Sequence, residues 1–87
     1  MRAVHTVEAS LGVEDVQALI DDARRRWESL GEDVEESANT QLLSWHQEAG
    51  TDIAEAETAV QNGELTRALV QTRSAMGLLD RIADGLE

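Results

Sequence analysis

Two histidines, eighteen carboxylates, seven arginines and two tryptophans are the residues of this chain that could carry chemistry. His5 and His46 are the only imidazoles, and cysteine is absent. A zinc centre needs three or four His, Cys or carboxylate ligands that converge. No H-E-x-x-H and no Cys/His spacing of that kind occurs, so no metal is expected, and both histidines are expected at the surface or half-buried. Without cysteine there is neither a disulfide framework nor a thiolate nucleophile. The acidic run Glu32, Asp33, Glu35, Glu36 lacks the alternating ligands and distal Glu of a calcium loop. It reads as helix capping followed by solvated chain. No Ser-His-Asp set, catalytic carboxylate pair or Gly-rich phosphate loop can be assembled. A non-enzymatic chain is expected, with no cofactor and no small-molecule substrate.

Arg24-Arg25-Arg26 is the one basic run. On a helix, Asp21 lies four residues before Arg25 and Asp22 four before Arg26, the more favourable acid-first order. These are expected to be solvated pairs within one helix. Trp27 and Trp45 fall on apolar stripes and read as core anchors, not base-stacking platforms. The stretch His46-Gln47-Glu48-Ala49-Gly50-Thr51 loosely resembles the H-x-x-K-G-S segment of histidine phosphotransfer domains. That resemblance implies a phosphate carried on His46. The chain departs from the pattern at Ala49, where the family has Lys, and at Glu48, whose charge disfavours a neighbouring anion.

Charge sets the broad class. The net charge is −11 and lysine is missing altogether. Such a chain repels phosphate backbones, so nucleic-acid binding is not expected. Carboxylate-rich, Lys-poor surfaces stay hydrated in concentrated salt, and high-GC coding replaces Lys with Arg and raises Ala, of which there are twelve. High-salt adaptation is therefore one reading, and an acidic mimic of nucleic acid that blocks a basic groove is another. No apolar run approaches the roughly 18 residues that cross a bilayer, and no signal-peptide core is seen. The expected compartment is cytoplasmic, without membrane association.

These residues are positioned by helices. At 87 residues the chain allows one domain with a thin core. Proline is absent, which suits long helices. Residues 1–11 are ambiguous between helix and extended chain. The domain proper is expected over residues 12–87. Val13, Val16, Ile20, Ala23, Trp27 and Leu30 repeat at 3-4-3-4-3 spacing, which predicts a first helix from Val13 to Leu30. Gly12 caps it, with Leu11 stapled to Val16, and Gly31 stops it. Asp33 and Glu36 form a D-x-x-E capping pair that opens a second helix. Its stripe is Val34, Ala38, Leu42, Trp45, Ala49, Ile53, Ala56 and Val60, with a weak point at Gly50. Asn62-Gly63 ends it. The third helix starts near Glu64, with Leu65, Ala68, Thr72, Ala75, Leu79, Ile82 and Leu86 in strict alternation and Leu69, Met76 and Ala83 widening the stripe. The expectation is an all-α, antiparallel three-helix bundle with a tight hairpin of helices two and three.

Gly63-Glu64-Leu65, Ala68, Ala75, Gly77, Leu79 and Asp80 carry a family resemblance. They are similar to the G-D-x-x-x-A and A-x-G-x-L-D signature of the archaeal domain of unknown function 357 family, and Ile53-Ala54-Glu55-Ala56-Glu57 is similar to the acidic-Ala segment before it. The resemblance covers about residues 49–86 and departs at Ser74, where the family has an aromatic. It implies a small helical bundle, an archaeal source and no known activity. Gly77 lies opposite the core stripe with Val70, Arg73, Asp80 and Arg81. A helix-interior glycine costs about 1 kcal/mol relative to Ala, so this face is a candidate docking surface. The expected function is a non-enzymatic interaction or assembly module, its partner another protein or a second copy. Three off-stripe residues, Leu43, Val70 and Leu78, and a second helix longer than its neighbours favour self-association.

Overall fold

The structure, a computed structural model, describes residues 12–87. They form three helices: α1 (Val13–Ser37), α2 (Thr40–Gln61) and α3 (Leu65–Leu86). All three pack against one another in an all-α bundle. The expectations for residues 1–11, including the Leu11 staple, lie outside the described residues.

The boundary between α1 and α2 differs from the one expected. The 3-4 seam of α1 runs through Gly31 to Val34, which is fully buried. Burying Val34 on an unbroken stripe outweighs the weak helix preference of one glycine. The stop comes at Ala38, in the left-handed conformation at φ 55°, with its N–H donating to the Glu35 carbonyl. Asn39 then opens α2, its side chain accepting from the N–H groups of Gln41 and Leu42. Two of the four orphan donors at that helix start are thereby satisfied. Asp33 and Glu36 are exposed residues inside α1, and cap nothing. Ser37 ties the corner: its hydroxyl donates to the Val34 carbonyl at 2.7 Å and accepts from Asn39 N–H at 3.2 Å.

This shift removes the expected length mismatch. The longest helix is α1, with 25 residues, whereas α2 and α3 have 22 each. Gly50 lies inside an unbroken α2. The second turn is where the sequence put it. Gly63 has φ +78°. Its N–H donates to the Val60 carbonyl, and Glu64 N–H donates to the Ala59 carbonyl. That pair of bonds is a Schellman motif, and a residue at C′ with positive φ favours glycine.

The core is narrow and rich in small residues. Ala49, Ile53, Ala56 and Ala59 of α2 face Ala68, Ala75, Leu79 and Ile82 of α3, with Val16, Ile20, Ala23 and Val34 of α1 closing the third side. Thr72 is the buried polar residue, and its hydroxyl donates to the Ala68 carbonyl at 2.7 Å. That satisfies a group whose unpaired burial would cost about 1–3 kcal/mol. Val13, expected on the stripe, is 55% exposed.

Candidate docking groove

The arginine run is arranged differently from its helical spacing. Arg24 reaches across to Glu57 of α2, and Arg26 pairs with Asp80 of α3 at 2.8 Å. Arg25 alone has an intrahelical partner, Asp22 at 4.0 Å. Asp21 instead accepts from Gln17. The run sits where α1 faces both neighbours, so two guanidiniums tie the bundle together. The interhelical partners Glu57 and Asp80 could not be read from i,i+4 spacing.

His46 and Trp27 form a reciprocal clamp between α2 and α1. Their rings stack at 4.6 Å with planes 7° apart. Trp27 Nε1–H donates to the His46 carbonyl at 2.7 Å, and His46 Nε2 lies 2.8 Å from the Trp27 carbonyl. The carbonyl can only accept, so Nε2 carries the proton and has no free lone pair. A phosphoryl acceptor at that nitrogen would first have to break the clamp. Each ring also lies over a glycine of the other helix. A Cβ on Gly50 would stand 2.9 Å from Trp27 Cζ2, and one on Gly31 would stand 3.6 Å from the His46 ring. Both glycines, read from sequence as a stop and a weak point, are where the aromatics pack. Trp27 and Trp45 are partly buried against the core, as anchors should be.

The remaining chemistry gathers in an open groove of about 590 Å³ between α2 and α3. Arg73, Gly77 and Arg81 line the α3 side, and Glu48, Thr51 and Asp52 the α2 side. Ser74 Oγ donates to Asp52 Oδ2 at 2.8 Å across one end. A Cβ on Gly77 would meet no heavy atom of the described residues within 4 Å. Packing among the described residues gives no reason for glycine there. Arg67, Arg73 and Arg81 have no ion-pair partner among the described residues. Of the five residues expected on the docking face, Arg73, Gly77 and Arg81 come together here. Val70 is 60% exposed and does not line the groove. Asp80 is committed to Arg26. Leu43 and Leu78, expected to be exposed, are partly buried against the core, because the apolar face of each helix is wider than its central stripe.

No group of three or more His, Cys, Asp or Glu that could hold a metal ion occurs among the described residues. No helix among them is long and apolar enough to cross a membrane. Comparison with models of known protein families, with curated proteins and with solved structures finds no match to this chain.

Proposed function

We propose that this chain is a non-enzymatic interaction module that docks a protein partner through the groove between α2 and α3. The observation that carries the reading is the placement of Arg73 and Arg81 on either side of an open Gly77. In a chain of net charge −11, carboxylates are plentiful. Arg24, Arg25 and Arg26 each hold one, yet these two groove arginines hold none among the described residues. Unpaired guanidiniums beside a position without a side chain suit close approach by another chain. A kinship with the domain of unknown function 357 family belongs to the same proposal, as do a cytoplasmic location and a high-salt archaeal host. The helical hairpin over residues 40–86 and the Lys-free composition support it.

The test places a photo-crosslinking residue at Gly77 and, as a control, at Arg25, in extracts of the native host. Crosslinking at Gly77 well above that at Arg25 is the expected result. Equal yields would reject the groove as the docking face.

A second reading has its own observation. Glu28, Glu32, Asp33, Glu35 and Glu36 are all exposed along the C-terminal half of α1. This acidic ridge favours a mimic of nucleic acid that occupies a basic protein. Binding of a basic nuclease or DNA-binding protein that weakens steeply with salt would support it.

A further inference from the structure

The groove carries two charges of each sign, segregated by helix. Arg73 and Arg81 stand on α3, and Glu48 and Asp52 on α2. A purely acidic partner would meet the two carboxylates, and a purely basic one the two guanidiniums. The occupant that meets neither repulsion presents the same pattern with the helices exchanged. We infer that this occupant is a second copy of the chain, related by a two-fold axis that runs along the groove, parallel to α2 and α3 and past Gly77; the inference rests on the docking reading above.

The register makes the geometry specific. The Ser74–Asp52 hydrogen bond sets those two residues level across the antiparallel pair. With a helical rise of about 1.5 Å per residue, Glu48 then lies about 6 Å from the level of Asp52, toward the Arg81 end. A half-turn about an axis that runs along the groove, parallel to α2 and α3, lays α3 of one copy over α2 of the other and keeps every residue at its own level. Arg73 then comes to within about 2 Å, along the helix axis, of the other copy's Asp52, and Arg81 to within about 5 Å of its Glu48. An arginine side chain spans either offset. Four interchain pairs form at once, because a two-fold contact counts every pair twice. The axis passes Gly77, where a Cβ would find no atom of the described residues within 4 Å, so the backbones can approach most closely there. Leu78, beside Gly77, supplies apolar area at the centre. Exposed pairs of this kind make a weak dimer, opposed by the net charge of each copy.

A charge-swap experiment tests this. R73E/R81E makes the groove wholly acidic, and E48R/D52R makes it wholly basic. Circular dichroism first checks that both variants keep the wild-type helical content. Sedimentation equilibrium follows up to about 1 mM protein, at about 1 M potassium chloride, where the screening length is about 3 Å and long-range repulsion is suppressed. The wild type should rise from 9.5 kDa toward twice that mass. Each variant alone should stay monomeric, and their equimolar mixture should recover dimer. A wild type that stays monomeric overturns the dimer, as does one whose dimer ignores both swaps or a mixture that fails to associate. The crosslinker at Gly77 separates this failure from failure of the docking reading. A groove that captures a different protein while the chain stays monomeric rejects only the second copy.

Discussion

Gly50 and Gly77 offer one substitution in two surroundings. Each lies inside a helix, and Gly→Ala in a helix interior is worth about 1 kcal/mol of stability from propensity alone. At Gly77 no described residue opposes that gain, since the added methyl meets none of their atoms within 4 Å. At Gly50 the methyl would stand 2.9, 3.1 and 3.2 Å from three atoms of the Trp27 indole. The ring cannot slide freely. His46 is stacked on it, and its N–H is held by the His46 carbonyl. Overpacking of this kind costs about 1–3 kcal/mol, and a displaced indole also loses a hydrogen bond worth about 0.5–1.5 kcal/mol. G50A should therefore be destabilised by about 1–2 kcal/mol after the propensity gain, while G77A is stabilised by about 1 kcal/mol. In a chain of this size the gap corresponds to roughly 10–20 °C between the two thermal midpoints. Urea denaturation followed by circular dichroism and tryptophan fluorescence measures both. A G50A midpoint equal to or above that of G77A would refute the claim that glycine at position 50 exists to admit Trp27.

The two turns predict opposite responses. Ala38 at φ 55° carries a left-handed strain that glycine relieves, so A38G should raise stability by about 0.5–1 kcal/mol; a lower urea midpoint would count against it. Gly63 at φ +78° has no such strain to relieve, so G63V should lower stability by about 1 kcal/mol or more, and an unchanged midpoint would move the turn elsewhere. Asn39→Ala removes an acceptor for two helix N–H groups and should cost about 1 kcal/mol by the same measurement. From the net charge of −11, thermal stability should rise between about 0.1 and 2 M potassium chloride as like-charge repulsion is screened, and equal midpoints would contradict this.

Periodicity made most of the bundle legible. The alternation Leu65, Ala68, Thr72, Ala75, Leu79, Ile82 named the buried face of α3 almost residue for residue, and Asn62-Gly63 named its turn. The α1–α2 boundary is not where the sequence points, because Gly31 and the Asp33–Glu36 spacing mimic a stop and a start. The competing signal was present: Val34 continues the α1 seam in phase, and Asn39 is a strong capping residue. Three of the five expected docking residues converge because Arg73, Gly77 and Arg81 repeat at i,i+4 on one face. The α2 half of the groove could not be foreseen. It depends on which residues lie level across the hairpin, a relation that follows from the observed turn and the Ser74–Asp52 bond.

The aromatic clamp also bears on ancestry. Trp27 and Gly31 are four residues apart on α1, His46 and Gly50 four apart on α2; the Trp27 ring fills the notch left by Gly50, and the His46 ring lies over Gly31 at ordinary contact distance. A side chain at position 50 would displace the Trp27 ring, whereas a methyl at position 31 would still fit against His46. Trp27 and Gly50 are therefore expected to be kept or lost together in relatives, and a Trp followed across the turn by H-x-x-x-G is the pattern to look for. A distant homologue that has diverged everywhere else on its surface would still be recognisable by that spacing.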